Sequence, residues 1–310
     1  MRTGRPNVVA LGGGHGLAVT LSAVSRYAGS VTAVVSGADD GGSSGRLRAW
    51  WGGPAPGDVR RCLLAIAGDS PEQKLWAEAL DHRFAEGELA GHSLGNLVLV
   101  GLSETLGDFA EATAQLGRLV GATARILPAT SEAVQLWAEV DGPGGPAEIE
   151  GQAAITHSPV PVRRVWLSPP TASAPEPVLA AIAGADQVVL GPGSLYTSVL
   201  AVCAVPGIRD ALAERSKGRR RGGTVYVCNL GPQEPETSGY DADAHLAALA
   251  SHGVAVSSVL CDPSTPSGAP ARSEELLAGA NVVEAAVSGP DGHAHDPARL
   301  AEALAGLVAR

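Results

Sequence analysis

Between Asn7 and Val35 the chain passes through four stretches in a fixed order. An apolar run, Asn7 to Leu11, leads into Gly12-Gly13-Gly14-His15-Gly16. Leu17, Leu21 and Val24 then recur at helical spacing, Gly29 sits where such a helix would stop, and the β-branched run Val31 to Val35 follows. Strand, glycine turn, helix, strand is a βαβ unit, and its two strands must lie parallel.

The same alternation returns later. Gln187 to Leu190 reads as a buried strand, Gly191-Pro192-Gly193-Ser194 as a turn and Leu195 onward as a helix. Thr224 to Cys228 and Val256 to Cys261 read as further strands, and Pro297 to Val308 as a terminal helix. Ser70-Pro71-Glu72-Gln73 opens a helix with a capping box. Other helices are expected from near Asn96 and from roughly Asp108 to Leu119. Ser36 to Arg61 is too polar for core, and within it Pro56-Gly57-Asp58-Val59-Arg60 could be a helix start with Asp58 as its cap. In the middle, Val134, Leu136, Ala138 and Val140 alternate, Asp141 to Gly145 turns the chain, and runs follow at Glu148 to Ile155 and Val162 to Leu167. These predict an inserted antiparallel meander. The expectation is a single Rossmann-like α/β domain over residues 1–310, with a mostly parallel doubly wound sheet and a helical and antiparallel β insertion at roughly 130–170.

Composition removes several classes of function. A hydrophobic content of 45% and a charged content of 17% exclude a disordered chain. A net charge of −10 argues against a general nucleic-acid binder. The one basic run, Lys217 to Arg221, reads as a solvated loop. No apolar run approaches the roughly 18 to 20 residues that span a bilayer. The N-terminus breaks into glycines where a signal peptide would be apolar, so a cytoplasmic protein without membrane attachment is expected. Cys62, Cys203, Cys228 and Cys261 form no Cys-x-x-Cys pair and read as reduced, buried thiols.

Four motifs carry the chemistry. In Gly12 to Gly16 the backbone N–H groups of a tight turn converge at a helix N-terminus, which attracts phosphate. Neither the dinucleotide fingerprint nor a P-loop fits in any frame, so the turn indicates phosphate without naming a nucleotide. Ala38-Asp39-Asp40-Gly41-Gly42-Ser43-Ser44-Gly45-Arg46 follows the second strand, where such folds place acids that read ribose; the pair could hold sugar hydroxyls or a divalent ion. Gly91-His92-Ser93-Leu94-Gly95 matches a nucleophile elbow, but no strand precedes it; a helix cap is expected instead, with Asn96 free to face a ligand. Gly193 and Ser194 repeat the glycine-turn logic at another strand end, and both turns should face one crevice.

Taken in order, Gly12 to Leu17, Ala38 to Arg48, Pro56 to Arg61, Ala90 to Leu97, Val189 to Ser198 and Tyr226 to Tyr240 resemble the gluconeogenesis factor family, which is related to 2-phospho-L-lactate transferase. The resemblance implies a cytoplasmic role in growth on gluconeogenic carbon and in cell shape, binding of a uridine diphosphate sugar, and no catalytic residue. It implies that Gly12, Gly13, Gly14, His15, Gly16, Gly193 and Ser194 lie against the diphosphate. Asp39, Asp40, Ser43, Ser44 and Asn96 would line the same crevice, with Asn229 and Thr237 at its rim. A cell-envelope regulatory protein and a second copy of the chain are the macromolecular partners it suggests. The sequence departs from the family pattern at His15, where threonine is usual, at Pro235, where glycine is usual, and at Ala294, where many members carry arginine.

Two functions follow. The first is a nucleotide-sugar-binding regulator. The second is a metal-dependent transferase moving a phospholactyl group onto a deazaflavin, with magnesium on Asp39 or Asp40 and an aromatic slot for the flavin. Aromatic residues make up 4% of the chain, which leaves little to line that slot.

Overall fold

The computed structural model describes residues 4–217, 222–266 and 280–309. The first βαβ unit forms as the sequence predicts: β1 (Asn7–Gly12), α1 (Gly14–Val24) and β2 (Ser30–Val35), with the two strands parallel and in register from Asn7 opposite Ser30 to Gly12 opposite Val35. Side chains along β1 alternate between two apolar layers: Val8 and Ala10 enter one, Val9 and Leu11 the other. Burial on both faces explains why the strand reads as a continuous apolar run.

The segment 36–61 contains the expected helix start at Pro56 and a further helix that the sequence reading lacks. It holds two helices, α2 (Gly42–Trp51) and α3 (Pro56–Ala65). Polarity concealed the extent of α3, which buries Asp58 and Arg60 together with Val59, Cys62 and Leu63. Asp58 lies within the first turn of α3, and Ala55 occupies the cap position. Next come α4 (Pro71–Asp81), α5 (Leu94–Leu106), which starts two residues earlier than expected, and α6 (Phe109–Leu119). The predicted capping box on α4 is present: the Ser70 hydroxyl accepts from Gln73 N at 3.2 Å, and Gln73 Oε1 accepts from Ser70 N at 3.2 Å. Ser70→Ala should therefore cost about 1 kcal/mol of stability, measured by urea unfolding.

Strand β3 (Arg125–Pro128) pairs with β2 and ends the first half of the sheet. The insert follows as β4 (Gln135–Gly142), β5 (Gly145–Glu150), α7 (Gln152–Thr156) and β6 (Val162–Ser168), its strands forming an antiparallel sheet in the order β5-β4-β6. The expected strand over Glu148 to Ile155 thus stops at Glu150 and gives way to a short helix. The α/β alternation resumes with α8 (Glu176–Gly184) and β7 (Gln187–Leu190). A π-helical turn, Leu195–Leu200, then runs into α9 (Ala201–Cys203), followed by α10 (Pro206–Lys217) and β8 (Thr224–Val227). The chain continues through α11 (Ala242–Ser251), β9 (Ser258–Cys261), β10 (Asn281–Glu284) and α12 (Pro297–Ala309).

The large sheet has the order β10-β9-β8-β7-β1-β2-β3, with every pair parallel. From β1 the chain moves outward through β2 and β3; from β7, on the other side of β1, it moves outward through β8, β9 and β10. The order reverses between β1 and β7, and ligands of open α/β sheets bind at such a switch point. Among the described residues no single helix is long and apolar enough to cross a membrane. Of the basic run, Lys217 is exposed and paired with Glu214, while 218–221 lie outside the described residues.

Candidate functional site

The two glycine turns leave β1 and β7, adjacent strands, at their carboxyl ends and touch each other. A Cβ added at Gly16 would fall on the Pro192 carbonyl oxygen, so only glycine lets the turns close to this distance. Gly14 takes φ +59°, a left-handed conformation that favours glycine. The second turn is clamped by Asn229, at the end of β8. Its Oδ1 accepts from Gly193 N at 2.8 Å, and its Nδ2 donates to the Gly193 carbonyl at 3.0 Å. The helix after this turn begins as a π turn, in which Ser198 N and Val199 N both donate to the Ser194 carbonyl.

Cavities open on either side of the paired turns. The smaller, about 260 Å³, is polar and is lined by Gly13, Gly14, Asp39, Asp58, Arg61, Gln152, Thr156, Ser194, Thr197 and Ser198. The larger, about 480 Å³, is lined by Val19, Pro192, Asn229, Leu230, Pro232, Pro266, Ala294 and His295. His15, Gly16, Gly193 and Gln233 border both, forming a waist between two lobes. Gln233 Oε1 is buried there without a hydrogen-bond partner. His295 donates through Nε2 to the Cys228 carbonyl at 3.2 Å, and burial pushes its pKa down to about 4, so its ring is neutral at pH 7. Other cavities lie away from the turns; one of about 390 Å³ sits beside α6 and β3.

Both helix N-termini at the waist already face a buried carboxylate of the chain. Asp58 accepts from the Gly14 N–H and pairs with Arg61. Burial, reinforced by the charge of Asp39, pushes its carboxyl up to about 6. Glu236 caps the π turn: Oε1 accepts from Tyr196 N at 2.7 Å and Thr197 N at 3.1 Å, and Oε2 accepts from the Thr197 hydroxyl at 3.0 Å. Burial raises its pKa against the pull of these donors.

Of the residues expected from sequence, Gly13, Gly14, His15, Gly16, Asp39, Gly193, Ser194 and Asn229 line the two lobes. The others stand behind them. Gly12 ends β1. Asp40 turns away from its neighbour to hold the insert, accepting from Ala153 N at 2.8 Å and from Gln135 Nε2 at 3.3 Å. Ser44 packs against Gly57. Asn96 is not free: it donates to the Ser43 hydroxyl at 3.1 Å and accepts from Arg60 Nε at 3.1 Å. Thr237 is buried, its hydroxyl accepting from Gln233 N at 2.9 Å. Asp58, Arg61, Gln152, Thr156 and Gln233 were not among the sequence candidates. Asp58 stood in a motif that reads as a helix start, and nothing in the sequence singles out Gln152 or Thr156. Asp39 and Asp58 are the carboxylates suited to a divalent ion, since magnesium takes one or two of them together with waters and phosphate oxygens. Among the described residues no group of three or more His, Cys, Asp or Glu side chains gathers to hold a metal by itself.

Ser93 occupies the N-cap position of α5 after a turn, without the strand an elbow requires, and its Oγ is buried and unpartnered. Ser93→Ala removes an unsatisfied hydroxyl, so stability should stay within about 0.5 kcal/mol of wild type or rise. A fluorophosphonate probe should leave the native protein unlabelled; stoichiometric labelling at Ser93 would restore a hydrolase. The cysteines are all buried thiols outside any disulfide, and Cys228 and Cys261 meet across β8 and β9 with sulfurs 3.3 Å apart.

The sequence profile of the family described as 2-phospho-L-lactate transferase CofD matches residues 8–288. A Mycobacterium tuberculosis protein whose name includes "gluconeogenesis factor" is 45% identical over 98% of this chain and 90% of its own length. The chain belongs to the gluconeogenesis factor family, related to the 2-phospho-L-lactate transferases. The Bacillus subtilis gluconeogenesis factor is 36% identical over 80% of this chain and 75% of its own. A crystal structure of a Bacillus halodurans protein of the upf0052 family superimposes with a TM-score of 0.87 at 34% identity, covering 98% of this chain and 99% of that one.

Proposed function

We propose that this member of the gluconeogenesis factor family is a cytoplasmic nucleotide-sugar-binding regulator. The observation that carries the reading is the contact between two strand–glycine–helix turns at the switch point, with a cavity on each side of it. A diphosphate suits the waist, where His15 and the backbone N–H groups not already taken by Asp58, Asn229 and Glu236 are at hand. A nucleoside suits the larger lobe, bordered by Val19, Leu230 and prolines, and a sugar suits the polar lobe. A uridine diphosphate sugar is the ligand assigned. The process regulated is growth on gluconeogenic carbon, in keeping with relatives named as gluconeogenesis factors, and cell shape is the second process assigned.

The transferase reading draws on the family description and on the Asp39–Asp58 pair, which would hold magnesium against a diphosphate. Neither lobe is lined by Phe, Tyr or Trp among the described residues, so a flavin ring has no stacking surface there. A thermal-shift screen of uridine, guanosine and adenosine diphosphates and their sugars, with magnesium or chelator, separates the two. A ligand at about 100 times its Kd adds about 2.7 kcal/mol to the native state. The regulator reading expects uridine diphosphate sugars to raise the melting temperature by several degrees in either condition, without turnover. Stabilisation confined to magnesium, with consumption of the nucleotide, would favour the transferase.

A further inference from the structure

The polar lobe is built from two distant parts of the chain: the glycine turns form its floor, and α7 of the insert forms a wall. Three contacts set α7 in place. Asp40 accepts from Ala153 N at 2.8 Å, Gln152 Nε2 donates to the Thr197 carbonyl at 2.9 Å, and the Thr156 hydroxyl lies 3.4 Å from Thr197 Oγ1. The bond to Thr197 fixes the Gln152 amide yet uses only one of its hydrogens. A second N–H, the amide oxygen and the Thr156 lone pairs therefore have bonding capacity left in the lobe. Held side chains with open hydrogen-bonding capacity suit the recognition of a specific group. Asp39 and Asp58, both almost wholly buried, line the same lobe, and Arg61 beside them pairs with Asp58.

We infer that Gln152 and Thr156 read the group attached beyond the diphosphate, and that the lobe admits an uncharged, polyhydroxylated group of hexose size while rejecting an anionic one. The inference rests on the functional reading above and names the selectivity of that same site. Hydroxyls can donate to carboxylate and amide oxygens and accept from the Gln152 N–H, so a sugar ring satisfies both sets of groups. A carboxylate in the same place brings a further negative charge against the buried Asp39, Asp58 being paired with Arg61, and is unfavourable at short range. The insert thereby acts as a selectivity element, joined to the main sheet through Asp40.

Calorimetric titration in chelator with uridine diphosphate, UDP-glucose and UDP-glucuronate tests this. The two sugars differ by a carboxylate in place of a hydroxymethyl group. Wild type should bind UDP-glucose at least about tenfold more tightly than UDP-glucuronate. Thr156→Val, which keeps the shape of α7, and Gln152→Leu should each weaken UDP-glucose about three- to tenfold, the effect of one lost hydrogen bond. Both should leave uridine diphosphate within roughly twofold. If Gln152→Leu lowers the melting temperature, Thr156→Val decides. Equal loss for uridine diphosphate, no loss for UDP-glucose in the folded variants, or tight binding of UDP-glucuronate would overturn the inference while leaving the functional reading in place. A wild-type protein that binds none of the three would overturn both.

Discussion

Gly16→Ala should lower the stability of the protein by about 2 to 3 kcal/mol and abolish ligand binding, a large effect for one added methyl group. The new Cβ would meet the Pro192 carbonyl and lie 2.9 Å from Gly193 Cα. These are backbone atoms that cannot rotate aside, and Asn229 bonds both polar groups of Gly193. The turns would have to separate, which removes the waist between the lobes. Gly101→Ala makes a control, since a Cβ there meets nothing within 4 Å. Urea unfolding of both variants checks the expectation, and a Gly16→Ala protein within about 0.5 kcal/mol of wild type would show that the turns do not hold each other.

Asp58→Asn should stabilise the protein at pH 7.5 by about 2 to 3 kcal/mol, with the gain vanishing near pH 4. The native carboxyl titrates at about 6, against an ordinary value of 3.8. The folded state therefore takes up a proton more readily than the unfolded state. The stability this group contributes is fully present below 3.8 and is lost as pH rises through 6. Asparagine is neutral throughout and keeps an oxygen for the Gly14 N–H, so it removes the cost that appears above pH 6. Arg61 loses a partner but is 35% exposed and can hydrate. Urea unfolding from pH 4 to 8 in chelator, so that only protons titrate, measures the difference. A variant less stable than wild type at pH 7.5 would mean that the pair with Arg61 outweighs the burial of Asp58.

How much could be read beforehand depended on what each residue does in the fold. The β1–α1–β2 unit and the β7 turn were legible because apolar periodicity and glycine punctuation follow directly from burial on both sheet faces. The capping box on α4 was legible because its bonds are local. Helix α2 was not, and α3 showed only its start, because they bury polar residues: Ser43, Ser44, Asp58 and Arg60 face inward and cancel the apolar pattern. Asp39 and Asp40 looked equivalent, yet they serve different parts of the molecule. Asp39 accepts from Gly41 N at 3.0 Å and faces the polar lobe, while Asp40 holds the insert. No periodicity governs a two-residue irregular segment, so only the fold separates them. Helix α7 has five residues, too few for a pattern, and its part in the site comes from tertiary placement.

Under the proposed function the paired glycine turns form the waist of one nucleotide-sugar site. Hydrogen–deuterium exchange with and without a saturating uridine diphosphate sugar tests it most directly, because backbone N–H groups are the proposed ligand donors. Slowed exchange is expected in segments covering Gly13 to Gly16 and Ser194 to Leu195 together, where N–H groups are not already held by Asn229 and Glu236, with a smaller effect at α7 and no change around the cavity beside α6 and β3. Protection confined to that distant cavity, or to one turn without the other, would contradict it.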